Sequence, residues 1–243
     1  MTRLFTSNLS HIILFIGISI MVIPVWMIFA SSTHTSSFIN THGLQFFLGD
    51  SFQENYLRVL MYQGGFFKEI TALKMFLNSF IMATGVALLS VVTSLMAAYA
   101  LVYYRTKYAT FLFWLIFITI LVPLELRIFP TYSVMAKLNL VNSYFGLIVP
   151  ISASAIATLF FRQFYKTVPD ELLESAKLDG ANTWRFFIDF LVPLSRTMIV
   201  AMFIFMFVFG YNQYLWPLLV TSSEQYWTVV MGLKMMSGSI VHR

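Results

Sequence analysis

VPDELLESAKLDGANTWRFFIDFLVPL, residues 168–194, is the longest polar interruption in the hydrophobic second half of the chain. Seven of the 25 formal charges (15 Lys and Arg, 10 Asp and Glu) fall between Asp170 and Asp189. Thr167, with Asp170 three residues on, makes a capping-box-like start; Pro169 suits a first helical turn, and Asp170 and Glu171 complement the positive end of a helix. At about 100° per residue, Val168, Leu172, Leu173 and Ala176 share one face, while Asp170, Glu171, Glu174 and Lys177 share the other, so a short amphipathic helix is expected. Gly180 fits the left-handed position just past a helix end. Asn182 or Thr183 can cap a second helix that runs through Trp184, Phe187 and Phe190 into Pro193. By pattern alone, such a helix–turn–helix also suits an interfacial pair resting on lipid.

Working outward, the rest of the chain belongs in a membrane. Of 243 residues, 59% are hydrophobic and 10% charged, with 26 Phe and 14 Met. A globular protein carries about a quarter charged residues, and several apolar runs here come near the roughly 20 residues that cross a hydrocarbon core. The net charge of +5 is no sign of nucleic acid, because the basic residues sit mostly between apolar runs, where they set orientation. The absence of Cys excludes disulfides, thiolate metal sites and cysteine nucleophiles. The expected fold is all-α: one polytopic membrane helix bundle, residues 1–243, carrying an inserted loop at 166–194.

The first apolar run, 12–30, follows Arg3 and contains Pro24, which is expected to kink it. It is longer than the core of a signal peptide, about 7 to 15 residues, so it reads as a retained span. Residues 31–74 are polar and form an extramembrane loop with short helix, in which Phe66 and Phe67 suit an amphipathic lead-in at the interface. The second span, 75–104, carries Ala83, Gly85, Ala87, Ser90, Ser94, Ala97 and Ala98 and is expected to be an inner helix, because small residues admit close neighbours. A basic turn at Arg105 and Lys107 joins it to a third span, 111–124, as a hairpin.

That span ends in LVPLELRIFP, where Pro123 and Pro130 bracket Glu125 and Arg127. From a start near Thr110, Glu125 lies about 22 Å along the helix, short of the roughly 30 Å core. Residues two apart do not face each other, so these charges are not expected to pair within a helix unless Pro123 breaks it. Two readings stand: an anchor pair snorkelling to the outer surface, and charges lining a substrate path. A fourth span, 144–165, is again rich in Ser and Ala around residues 152–155. A fifth, 198–220, holds Asn212, Gln213 and Tyr214, which suit either interhelical hydrogen bonds or substrate contact. The residues after it are too polar to span.

With the N-terminus in the cytoplasm, the inner side receives eight basic residues: Arg3, Arg105, Lys107, Arg162, Lys166, Lys177, Arg185 and Arg196. The outer side receives Arg58, Lys68, Lys74, Lys137, Lys234 and Arg243 in longer loops, which count for less. The N-terminus is therefore expected inside, and with it residues 168–194.

ELLESAKLDGANTWRFFIDFLVPL resembles the EAA loop of ATP-binding-cassette importer permeases, whose pattern is E-A-A, two or three residues, D-G-A, and an aromatic-rich run ending in L-P-L. Glu171, Glu174, Ala176, Asp179, Gly180, Ala181, Phe186, Pro193 and Leu194 match. LNSF (77–80), LVPLELRIFPTY (121–132), FFRQF (160–164) and YNQYLWPLL (211–219) extend the resemblance to the carbohydrate-uptake, maltose-type branch, and most fully to the membrane subunits of glycerol-3-phosphate importers. The resemblance implies a type I importer bundle and an ATPase-coupling role for Glu171, Glu174, Ala176, Asp179, Gly180 and Ala181. It implies four kinds of partner: a homologous second permease subunit, two copies of a cytoplasmic ATPase, an extracytoplasmic substrate-binding protein and membrane lipid.

The chain itself has no G-x-x-x-x-G-K-[ST] phosphate loop, so it is expected to be no enzyme and to hold no cofactor, with ATP bound by a partner. Glycerol-3-phosphate is the expected substrate; a neutral sugar or oligosaccharide, and a non-transporting membrane scaffold, are the alternatives. Members of this branch have six spans. This chain reaches Arg243 within the outer loop after the fifth, so five spans are expected, the sixth being lost to a fragment or frameshift.

Overall fold

The computed structural model describes residues 2–61, 70–104 and 107–241, so the lead-in expected at Phe66 and Phe67, and Arg105 of the basic turn, lie outside the described residues. Among the described residues all regular structure is helical. The chain divides into two compact units, Met1–Gly65 and Phe66–Arg243.

The first unit holds α1 (Thr2–Ser32), α2 (Ser36–His42) and α3 (Phe52–Met61). The helix α1 runs on through Pro24, and its apolar part, His11–Ser32, is long enough to cross a membrane. Its C-terminus leaves carbonyls without helical partners, and Asn55 of α3 donates through Nδ2 to two carbonyls there, Ser32 at 3.0 Å and His34 at 2.8 Å. Residues 31–61 thus form a small folded cap on α1, with the short helix expected in this segment.

The second unit is built around α4 (Ala72–Tyr103). After it come α5 (Ala109–Ile118), a 3-10 turn Thr119–Leu121, α6 (Leu124–Lys137), α7 (Tyr144–Ile148), a 3-10 turn Val149–Ile151 and α8 (Ala155–Tyr165). Next are α9 (Asp170–Leu178), α10 (Thr183–Arg185), a π turn Phe186–Leu191, α11 (Val192–Leu194) and α12 (Arg196–Tyr211). The unit closes with α13 (Leu215–Val220), a 3-10 turn Glu224–Tyr226 and α14 (Val229–Val241). Among the described residues, His11–Ser32 and Ala72–Tyr103 are the two single helices long and apolar enough to cross a membrane; three bent pairs bring the total to five when each pair counts as one crossing.

The expected inner position of the second span is found, and small residues are the reason. Ala83, Ala87, Ser90, Ser94 and Ala98 of α4 are all buried. Gly210 of α12 lies so close that a Cβ there would stand 3.1 Å from the Ala83 Cα, tighter than most side chains accept.

The third and fifth spans differ from expectation. The third bends by 105° between Ala109–Leu121 and Glu125–Lys137, because Pro123 has no N–H to continue the helix and instead stands at the N-cap of α6. The fifth bends by 75° between Thr183–Leu194 and Arg196–Tyr211, and it ends at Tyr211, not at Val220. The fourth occupies the expected residues but bends by 49° between Tyr144–Ile151 and Ala155–Tyr165. Its serines serve that break: Ser154 Oγ caps α8 by accepting from Ala157 N at 3.1 Å. Carbonyls at the break also accept from α4, with Ser90 Oγ donating to Ser152 O at 2.5 Å and Ser94 Oγ to Ser154 O at 3.2 Å. Residues 229–241, expected in the outer loop, are helical as α14, whose first turn is fixed by Val229 N donating to Ser79 Oγ at 2.9 Å.

Candidate functional site: a coupling helix and a broken-helix cavity

The quoted stretch folds as a helix, a left-handed turn and a second helix. Thr167 does not cap α9: its hydroxyl donates backwards to Phe164 O at 2.7 Å, and Pro169 occupies the N-cap without a side-chain bond. Asp170 and Glu171 still lie in the first turn. At the other end Gly180 has φ +77°, Gly180 N donates to Lys177 O at 3.0 Å, and Ala181 N donates to Ala176 O at 2.9 Å. This is a Schellman closure, and it needs a residue that accepts positive φ. Asn182 then caps α10 by accepting from Arg185 N at 2.8 Å.

Burial divides the six coupling candidates. Glu171, Glu174, Asp179 and Gly180 are exposed; Ala176 is buried and Ala181 is half-buried against the core formed by Phe161, Tyr165, Phe186 and Leu191. The exposed surface holds a residue that sequence reasoning passed over. Leu178 is 89% exposed and lies between Glu171 and Glu174 around the helix at about 100° per residue, so α9 carries an apolar knob on its acidic face. The signal was available, because Leu178 does not fit the apolar face of Leu172, Leu173 and Ala176. Trp184, just beyond the turn, is 55% exposed.

Behind α9 an aromatic cluster ties it to the bundle, and its tyrosines were also missed. Tyr99 Oη, on α4, donates to Thr183 O at 2.8 Å. The Tyr103 ring stands 5.4 Å from Phe186 and 6.0 Å from Tyr165. The Tyr99 ring lies 4.9 Å from Phe187. On sequence these tyrosines read as ordinary span-end aromatics. Nearby, the Arg162 guanidinium of α8 lies 3.7 Å over the ring of Phe113 on α5, a cation–π contact between the third and fourth spans.

The breaks of the third and fourth spans meet at one cavity of about 230 Å³. Its walls are Thr119, Ile120, Val122 and Pro123 of the first break, Ala153 to Ile156 of the second, Arg127 of α6, and Phe205, Met206 and Phe209 of α12. Arg127 is the one substrate-path candidate among the lining residues. Glu125 is exposed on the first turn of α6, and the described residues show no ion pair between it and Arg127. Asn212, Gln213 and Tyr214 lie where α12 ends, away from this wall: Asn212 Nδ2 donates to Val208 O at 2.9 Å and Gln213 Nε2 to Phe209 O at 3.3 Å, both within their own helix. In YNQYLWPLL it is Trp216 that crosses to another element, its indole donating to Gly146 O at 3.1 Å.

Residues 90–240 match the family described as "Binding-protein-dependent transport system inner membrane component". The chain belongs to this family. It is an all-helical ATP-binding-cassette importer permease of the inner membrane. Its relatives include the sn-glycerol-3-phosphate transport system permease protein UgpE of Brucella abortus (strain 2308), 41% identical over 95% of this chain and 82% of that protein. The protein of the same name from Agrobacterium fabrum is 40% identical over 94% and 81%. Among solved structures, a bacterial ABC transporter involved in the import of the acidic polysaccharide alginate superposes on this permease with a TM-score of 0.77, at 19% identity, over 99% of this chain and 86% of that one. That likeness is one of fold.

Proposed function

We propose that this permease subunit imports sn-glycerol-3-phosphate. It works with a homologous second permease subunit, two copies of a cytoplasmic ATPase and an extracytoplasmic substrate-binding protein. The names of its relatives suggest the substrate, and one observation carries it: Arg127 on the wall of the cavity at the two helix breaks. A guanidinium stays charged at any physiological pH and matches the oxygens of a phosphate ester in bidentate fashion. The first turn of α8 opens on the same cavity at Ala155 and Ile156, and a helix N-terminus adds partial positive charge. Broken helices at such a point leave backbone groups for a cargo without exposing them to lipid.

The N-terminus lies in the cytoplasm, by the excess of Lys and Arg in the short loops on that side. That places α9 in the cytoplasm as the coupling helix. Glu171, Glu174, Asp179 and Gly180 form its contact surface, Leu178 enters an apolar pocket of the ATPase, and Ala176 and Ala181 hold the helix to the bundle. Closure of the ATPase dimer draws α9 with it, and the aromatic cluster passes the movement to α4 and α12, turning an inward-facing cavity outward.

Uptake by proteoliposomes carrying the assembled importer tests the reading. ATP-dependent accumulation of sn-glycerol-3-phosphate is expected, with none of maltose. Arg127→Gln should lower phosphate-ester uptake by about tenfold or more, the worth of one charged hydrogen bond. Unchanged uptake would make Arg127 a mere anchor, accumulation of maltose instead would favour a neutral-sugar permease, and no uptake of either by an intact assembly would point to a scaffold.

A further inference from the structure

The junction between α9 and the bundle contains a notch of about 190 Å³, separate from the cavity at the helix breaks. Val102 and Tyr103 of α4 form one wall and Asp170 and Leu173 of α9 the opposite one, with Tyr165 and Lys166 at the end of α8 as the floor. The hydroxyls of Tyr103 and Tyr165 are both buried and, among the described residues, make no hydrogen bond of good geometry. Tyr165 has the Ser195 side chain as a polar neighbour; that serine donates its own proton to Leu191 O at 2.6 Å. A buried hydroxyl without a partner is costly, and phenylalanine would fill the same space without that cost. Tyr103 is also held in place, its ring wedged against Phe186 and Tyr165. Asp170, across the notch, is close enough for its charge to act on the Tyr103 hydroxyl. It is the first residue of α9, directly after the Pro169 cap, so it moves with that helix.

We propose that Tyr103 and Asp170 are the latch of the coupling joint: when α9 swings toward the end of α4, the Tyr103 hydroxyl donates to the Asp170 carboxylate and the notch closes. Both are positioning residues. The open notch described here is one of two docked states of α9, and the second gains a charged hydrogen bond together with apolar contact between Val102 and Leu173. Lys166, on the same rim, is in no ion pair with Asp170 among the described residues, so the carboxylate is available. This latch rests on the coupling role proposed above.

Two measurements on the assembled importer test it. The first is substrate taken up per ATP hydrolysed. Tyr103→Phe and Asp170→Ala should each lower that ratio by about tenfold while hydrolysis continues, and the double variant should fall no further, because both remove one bond. An unchanged ratio in Tyr103→Phe, or losses that multiply in the double variant, would overturn the latch. The second uses the absence of native Cys. A Val102→Cys/Leu173→Cys pair should oxidise to a disulfide faster when a non-hydrolysable ATP analogue closes the ATPase dimer, and the gain should vanish in a Tyr103→Phe background. Equal rates with and without the analogue, in an importer whose uptake still needs ATP, would remove the latch alone. An ATPase that does not co-purify with the permease would remove the coupling role as well.

Discussion

The two ends of α4 are finished with opposite chemistry. Near its N-terminus, Asn78 is fully buried and wholly satisfied: its Nδ2 donates to Gln225 O at 2.8 Å and Trp227 O at 2.9 Å, and its Oδ1 accepts from the Tyr144 hydroxyl at 2.7 Å. Asn142 holds the adjoining segment in the same way, its Oδ1 accepting from Ser222 N at 2.7 Å and Ser223 N at 2.9 Å. About 38 Å further along, at 1.5 Å per residue, Tyr103 offers a buried hydroxyl with no acceptor among the described residues, beside an open notch. A completed polar network specifies one arrangement, whereas an incomplete one leaves a second arrangement within reach. On the proposed latch, the first end stays fixed and the second moves.

The largest expected effect comes from breaking the fixed end. Asn78→Leu would strand two carbonyls and the Tyr144 hydroxyl in the interior and should destabilise the bundle by about 3 kcal/mol or more, read as a marked fall in the unfolding temperature of the purified protein in detergent. At the moving end, Gly180→Pro cannot adopt φ +77° and loses the N–H that donates to Lys177 O. The cost of about 2 kcal/mol should uncouple ATP hydrolysis from uptake while lowering the unfolding temperature less than Asn78→Leu does. The smallest effect should be that of Tyr99→Phe. It deletes the bond to Thr183 O, whose residue is exposed and open to water, so about 1 kcal/mol and a modest drop in uptake per ATP are expected. If Tyr99→Phe lowered stability as much as Asn78→Leu, the contrast between the ends would be lost.

Much of this was legible in the residues. The fourth span lies at 144–165 as read, and Gly180 ends α9 as read, because a left-handed turn after an amphipathic helix has few alternatives. The small residues of α4 marked the inner helix because they permit close approach whatever the partner. Other features were hidden. Thr167 has the spacing of a cap, yet its hydroxyl turns back to Phe164 because Pro169 already starts the helix. The apolar run 198–220 concealed the end of α12 at Tyr211, since Asn212 and Gln213 cap their own helix. Composition gave no hint that Ser152 and Ser154 stand at a break, because serine serves packed helices and interrupted ones equally well.

By itself the sequence determined the apolar crossings, the polar helix–turn–helix between the last two of them, and the positions of Gly180 and Arg127. These follow from hydropathy, from charge and from the φ that only certain residues tolerate, all properties local to the chain. Only the tertiary structure decided that the breaks at Pro123 and Ser154 share one cavity, and that Tyr103 and Asp170 line one notch. Those facts depend on which helices cross and how closely. Crossing is set by the fit of α12 and α8 against α4, an interaction between residues as much as 127 positions apart, such as Ala83 and Gly210, that no local pattern encodes.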